Sequence, residues 1–342
     1  MKPEKLAVVL FNLGGPSEEA AIRPFLFNFF MDKNIITAPL PVRFLIALWI
    51  SWSRSRGAAK EAYSHLGGKS PLLENTKKQA DALEKSLQEK GVDARVFISM
   101  RYWHPRAAET VKEVAAFRPD KIVLLPLYPQ YSTTTTLSSI QDWRQAAEKE
   151  GLAIPASVIC CYPDNDGFIS ASAALIGPAL EEAPKKVRLL FSAHGLPEKI
   201  IEGGDPYQYQ CERTAAAIVE KLGIPLLDWQ ICYQSRIGRL KWTGPSTIEA
   251  LEKASEDAVA VVIYPLAFVS EHVETMVEID MEYHERATRM GVHYFDRVLT
   301  AGTHPDFIEG LQKLVLSRVN GVECSRRCPE KFSRCYCGEK NA

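Results

Sequence analysis

Apolar residues along the chain gather in short runs rich in β-branched side chains, each ending at Gly, Pro or a polar loop. LAVVLFNL (6–13), ARVFISM (94–100), KIVLLPLY (121–128), SVICCY (157–162), VRLLFSAH (187–194), LLDWQI (226–231), AVAVVIYPL (258–266) and GVHYF (291–295) each read as a strand. Helix-like stretches lie between many of them, at Glu74–Lys90, Pro105–Phe117, Pro206–Leu222 and Ser246–Ala254. Strands that are apolar nearly throughout, rather than alternating, are buried on both faces. The pattern therefore predicts an α/β fold with parallel sheets covered by helices. Eight strands can close one barrel or form two open sheets.

An internal echo favours two sheets. FNLGGP (11–16) and FSAHGLP (191–197) each follow an apolar strand, and IVLLPLYPQYS (122–132) resembles AVVIYPLAFVS (260–270). Two similar α/β halves are expected, 1–150 and 151–310, followed by a short extension over 311–342. Open parallel sheets bind ligands beyond the carboxyl ends of their strands, where all four echoed segments put polar residues. A cleft between the halves is the expected site.

Composition narrows the class. The 342 residues suggest two domains at roughly 100–200 residues each. A hydrophobic fraction of 46% with 24% charged residues excludes a mostly disordered chain. Lys plus Arg is 41 and Asp plus Glu is 42, so no global positive field draws nucleic acid. The N-terminal run MKPEKLAVVLFNLGG is broken too early by glycine to be a secretory leader. The longest apolar stretch, Phe44 to Trp52, is too short to cross about 30 Å of hydrocarbon. The expectation is a cytoplasmic protein whose eight cysteines stay reduced or bind metal.

Four places carry candidate chemistry. His194 ends a strand beside Gly195, where an imidazole can take a proton near neutral pH, bind a metal, or serve structure alone. SEHVETMVEIDMEY (270–283) carries Glu271, Glu274 and Glu278, spaced to share one helical face, with His272 off that stripe. Such a stripe is usually a solvated face, but its position directly after AVAVVIYPL raises the cation-handling reading beside it. Arg101 and Tyr102 follow ARVFISM. The arginine can clamp a carboxylate and the tyrosine can pack on a flat apolar ligand, or both can be structural. The stretch Pro24 to Trp52, rich in Phe, Leu, Ile and Trp, is either core or an exposed apolar lip, with Arg43, Arg54 and Arg56 facing headgroups in the second case.

The tail gives the strongest local signal. CSRRCPEKFSRCYC (324–337) has the spacing C-x3-C-x6-C-x-C and suits zinc or an iron–sulfur cluster, which could recruit Cys160 or Cys161 from elsewhere. Other motifs fail. LGGKS (66–70) lacks the glycine that a P-loop needs at position 63, and no H-E-x-x-H, G-x-G-x-x-G or G-x-S-x-G occurs.

Taken together, FNLGGP (11–16), HLGGKSP (65–71), MRYWHP (100–105), LPLYPQYSTTTT (125–136), FSAHGLP (191–197), GDPY (204–207), WTGPST (242–247) and LAFVSEHVETMVEID (266–280) resemble the ferrochelatase family, in its order and over nearly the whole chain. The resemblance implies two Rossmann-like, chelatase-type halves and insertion of Fe2+ into protoporphyrin IX to give protohaem. A coproporphyrin ferrochelatase or another tetrapyrrole chelatase is the alternative. It maps the family's histidine onto His194 and its metal-site glutamate onto Glu274, with Glu271, His272 and Glu278 along the metal route. Leu13, Arg101, Tyr102 and Phe268 map onto porphyrin-pocket positions, and the lip (24–56) onto a peripheral membrane contact. The tail is similar to that of bacterial members with a [2Fe–2S] cluster. This implies Cys161, Cys328, Cys335 and Cys337 as ligands, with Cys160 the competitor of Cys161 and Cys324 unassigned. The assembly expected is a monomer or homodimer.

Overall fold

The computed structural model describes residues 4–236, 238, 240–322 and 328–338. Among these described residues eight strands form: β1 (Lys5–Asn12), β2 (Asp93–Met100), β3 (Lys121–Pro126), β4 (Ala156–Val158), β5 (Val187–His194), β6 (Asp228–Gln234), β7 (Ala260–Pro265) and β8 (Phe295–Arg297). All pair in parallel, in two sheets ordered β2-β1-β3-β4 and β6-β5-β7-β8. The repeated order excludes a closed barrel and bears out two similar halves. In each sheet the strand order reverses at its first strand, β1 or β5. The carboxyl ends there are where an open α/β sheet leaves a crevice.

The central strands are buried on both faces. Val8, Val9 and Leu10 of β1, and Leu189, Leu190 and Phe191 of β5, are fully enclosed. Helices cover them with one apolar stripe each. In Leu72–Glu89 the buried positions Leu72, Thr76, Ala80, Leu83 and Leu87 recur every three or four residues. Enclosing one such leucine contributes roughly 1.5–3 kcal/mol.

The chain divides into two compact units. One holds the chain up to Tyr128, then Ser132–Cys160 and the segment from Gln312. The other holds Pro129–Tyr131, Cys161–Leu311 and the cysteine-bearing tail.

Four segments differ from expectation. The strand expected at 157–162 is only Ala156–Val158, so Cys160 and Cys161 lie beyond it. Strand β6 runs on to Gln234, past the expected end at Ile231. The strand expected at 291–295 begins only at Phe295, because Gly291, with φ +90°, ends the helix before it in a conformation that glycine adopts freely. The acidic segment is not one α-helix from residue 270. It becomes helical only after His272, and Glu274–Tyr283 is a π-helix, with His284–Met290 continuing as α-helix. Glu271 and His272 therefore precede the helix and do not share its face.

Candidate active site

The end of β5 and the π-helix that follows β7 bring the titratable groups of the second unit together. His194, the last residue of β5, puts Nδ1 2.9 Å from Glu274 Oε2. Its side chain is 36% exposed and that of Glu274 is 24% exposed, so the pair is partly open to reactants. Burial opposes protonation of His194, but the Glu274 carboxylate beside it outweighs this and raises its pKa above the usual histidine value. Burial likewise opposes ionisation of Glu274, and the positive charge and hydrogen bond of His194 overcome it, holding the carboxyl well below its ordinary range.

His272 completes the group. Its Nδ1 lies 3.2 Å from the Ser270 carbonyl, which accepts only if Nδ1 carries the proton. The Nε2 lone pair then faces Glu274 Oε2 at 3.9 Å. Burial lowers the pKa of His272, which favours the neutral imidazole with its lone pair. The Phe268 ring packs on it with centroids 4.5 Å apart.

Glu278 stands further along the π-helix and is held by four donors. Ser235 N and Oγ donate at 2.9 and 2.5 Å, Gln234 Nε2 at 3.2 Å and Tyr283 OH at 2.8 Å. Ser235 adopts φ +61°, a left-handed conformation that costs a non-glycine residue about 1–2 kcal/mol. That conformation accompanies the aiming of both its donors at one carboxylate. Burial, reinforced by the Glu274 charge, raises the pKa of Glu278 despite these donors.

Glu271 is engaged elsewhere. Arg297 Nη1 grips both its oxygens at 3.0 and 3.1 Å, Thr275 Oγ1 donates at 2.6 Å and Thr300 N at 2.8 Å. Burial works against ionisation of this carboxyl, but Arg297 prevails and lowers its pKa. With both oxygens occupied, Glu271 is a fixed anion behind the site.

In the first unit, Arg101 and Tyr102 follow β2 and share a buried partner that sequence reasoning missed. Asp32 accepts from Arg101 Nη2 at 3.0 Å and Tyr102 OH at 2.7 Å, and Ser138 Oγ donates to it as well. Arg101 also meets Asp142 at 3.6 Å. The arginine expected to clamp a substrate carboxylate thus has two carboxylates of the protein beside it. Tyr102 is 1% exposed, with its ring edge-on to Phe29. Leu13 is half-buried at the end of β1, and its carbonyl accepts from Tyr102 N.

The stretch after Pro24 is not core throughout. The helix Leu40–Arg54 turns Leu45 and Trp49 outward at 65% and 68% exposure, with Leu40, Phe44 and Trp52 also exposed. Arg43 bends back to donate to the Ala38 and Ile36 carbonyls, contrary to the outward-facing role expected for it. No helix among the described residues is long and apolar enough to cross a membrane.

The tail docks on the second unit. Phe332 stacks on Tyr209 at 5.1 Å, and Arg334 N donates to the Gly204 carbonyl. Gly204 has φ +94°, and a Cβ there would collide with Ser333. Cys328 and Cys335 are buried together, and Gln210 Nε2 lies 3.1 Å from Cys328 Sγ and 3.5 Å from Cys161 Sγ. The Cys335 thiol, then burial, push the Cys328 pKa up. Cys337 is disulfide-bonded. Cys324 lies outside the described residues. Among the described residues no group of three or more His, Cys, Asp or Glu side chains is arranged to hold a single metal ion.

Two parallel four-stranded sheets of the same strand order define a chelatase-type α/β fold. The fold is similar to SirB from Bacillus subtilis with Fe3+, at a TM-score of 0.54 and 11% identity over 94% of this chain and 100% of that one. The sirohydrochlorin chelatase SirB from Bacillus subtilis subspecies spizizenii in complex with cobalt gives 0.51 at 11% identity, covering 93% and 96%. Identities this low speak for the fold alone.

The chain belongs to the ferrochelatase family, whose model matches residues 5–319. It is 50% identical to the ferrochelatase of Caulobacter vibrioides (strain NA1000 / CB15N) over 98% of both chains. It is 52% identical to that of Wolbachia sp. subsp. Drosophila simulans (strain wRi) over 92% of this chain and 99% of the relative. For Rickettsia bellii (strain OSU 85-389) the figures are 45%, 98% and 95%.

Sequence reasoning missed Gln234, Ser235, Arg297, Asp32 and Gln210. Gln234 and Ser235 carried a usable signal, since they follow an apolar strand as His194 does. The others act from elements remote in sequence and carried none.

Proposed function

We propose that the protein inserts Fe2+ into protoporphyrin IX to form protohaem, with His194 and Glu274 as the reacting pair. The 2.9 Å contact between them carries this reading. Insertion displaces two pyrrole protons, so the site must receive protons from a buried macrocycle while it delivers a dication. His194, once neutral, accepts a pyrrole proton at its free ring nitrogen, and Glu274 stabilises the imidazolium that forms. The Nε2 lone pair of His272 and the Glu274 carboxylate suit the incoming iron. Glu278, inclined to hold a proton and hydrogen-bonded to Tyr283, serves as the next proton acceptor. Glu271, fixed by Arg297, contributes negative potential on the metal route. Leu13, Arg101 and Phe268 are the proposed porphyrin contacts, and Tyr102, enclosed at 1% exposure, is proposed to act behind them by sharing Asp32 with Arg101.

The test is anaerobic iron insertion into protoporphyrin. His194→Ala and Glu274→Gln are each expected to lower the rate at least ~100-fold, the usual contribution of a positioned acid or base, with the folded circular dichroism spectrum retained. Near-normal insertion by a folded His194→Ala protein overturns the assignment.

A [2Fe–2S] cluster on Cys161, Cys328, Cys335 and Cys337 is the proposed resident metal group. The donor set supports it in three positions: Cys161 and Cys328 share the Gln210 amide, and Cys335 is hydrogen-bonded to Cys328. Of the adjacent cysteines 160 and 161, it is Cys161 that meets Gln210. Thiolates of this kind are the usual ligands of such clusters. One sulfur cannot bond both iron and a second sulfur in this way, so Cys337 ligates only when its disulfide is reduced. The exposed apolar face of Leu40–Arg54 supports peripheral contact with a membrane surface.

A further inference from the structure

Gln210 lies in the first turn of the helix Tyr207–Leu222 and is 1% exposed. Its carboxamide has one defined orientation. The Tyr131 backbone N–H donates to Oε1 at 2.7 Å, and a donor requires an acceptor, so the oxygen faces Tyr131. The NH2 group therefore faces the sulfurs, 3.1 Å from Cys328 Sγ and 3.5 Å from Cys161 Sγ. An amide nitrogen has two hydrogens, one for each sulfur.

Glutamine buried against two thiols is a choice the packing does not require. A methionine or leucine fills similar volume, but neither donates. The same two donors gain strength when the sulfurs carry negative charge, because hydrogen bonds to ionised acceptors are roughly twice as strong as neutral ones. Electron density on ligand sulfurs rises further when an iron–sulfur cluster is reduced, and hydrogen bonds to those sulfurs help set its potential.

We propose that Gln210 is a positioning residue for the cluster, donating one N–H to Cys161 and one to Cys328 and thereby favouring its reduced state. The proposal rests on the [2Fe–2S] reading of the tail. Tyr131 acts through Gln210: its N–H keeps the amide from turning its oxygen toward the sulfurs, where it would repel them.

The experiment uses the full chain purified anaerobically. Visible spectrum, iron and acid-labile sulfide of the unaltered protein come first. A protein that holds no cluster after reconstitution ends both the cluster reading and the role of Gln210. If the cluster is present, its midpoint potential is compared with those of Gln210→Leu and Gln210→Glu. Loss of the donors in the leucine variant is expected to shift the redox equilibrium about tenfold toward the oxidised state, which is about 59 mV for a one-electron couple. The glutamate variant keeps an acceptor for Tyr131 while setting a carboxylate oxygen against the sulfurs. It carries the test if leucine is not tolerated, and is expected to lower the potential further or to shed the cluster from folded protein. Normal loading and an unchanged potential in either folded variant overturn the proposal while leaving the cluster reading intact.

Discussion

Glu274 and Glu278 lie four positions apart on one π-helix, and their surroundings shift their proton affinities in opposite directions. Burial raises both. His194 reverses that for Glu274, whereas the Glu274 charge adds to it for Glu278. Two like groups with separated affinities for protons can hand a proton along without both being charged at once.

The same contacts fix a pH dependence. Burial lowers the pKa of His194 and Glu274 more than restores it, with the Glu278 charge acting in the same direction. His272, which also faces Glu274, has its pKa lowered by burial. Imidazole NMR titration of His194 is expected to give a pKa above 6.5 in the unaltered protein and a lower one in Glu274→Gln. The stabilising effect of the pair should be complete below the unfolded histidine value and fade as pH rises through the raised one. On the acid side it should fade as pH falls below the ordinary glutamate range toward the lowered pKa of Glu274. Identical titrations in the two proteins would show that the Glu274 charge is not what His194 feels.

Removing Arg297 would strand the Glu271 carboxylate. Arg297→Met is expected to cost about 3 kcal/mol in unfolding by urea, the lower end for breaking a buried pair from one side. Replacing both partners, as Glu271→Gln with Arg297→Met, should recover part of that loss. A single variant as stable as the parent would mean that water reaches Glu271 freely.

Gly204→Val is aimed at the tail. A side chain there meets Ser333 while the backbone stays in a conformation valine avoids. Tryptic cleavage after Lys331 and Arg334 should speed up in this variant relative to the parent, as read by mass spectrometry of the timed digest. Equal cleavage rates would show that docking at Gly204 does not hold the tail.

Vesicle sedimentation tests the apolar helix. Trp49→Glu with Leu45→Glu is expected to reduce binding to vesicles containing anionic lipid at least tenfold, since two outward apolar side chains and their burial in the interface are lost. Undiminished binding would assign membrane contact to another surface.

Much of this arrangement was legible in the sequence because it follows from local pattern. Apolar runs overlap each of the eight described strands, and the position of His194 and Glu274 after two of them marked both as candidates for one site. The start of the acidic helix was not legible, since i+3 and i+4 spacing cannot distinguish a helix that includes Glu271 from one that begins after it. Nor was the engagement of Arg101 by Asp32, whose partners stand 69 and 70 positions away. The side chains that hold the reacting groups come from long-range packing, which periodicity does not record.

The π-helix has one further consequence. Its i→i+5 ladder winds more residues into each turn than an α-helix does. The angle between Glu274 and Glu278 is therefore set by how many residues the segment contains as well as by which residues they are. Deleting one residue between them would tighten the winding and swing Glu278 away from Ser235 and Tyr283, with every functional side chain still encoded. Outward positions such as Met281 and Glu282 can change their chemistry at little cost. Divergence along this segment should therefore be written in substitutions and not in gaps.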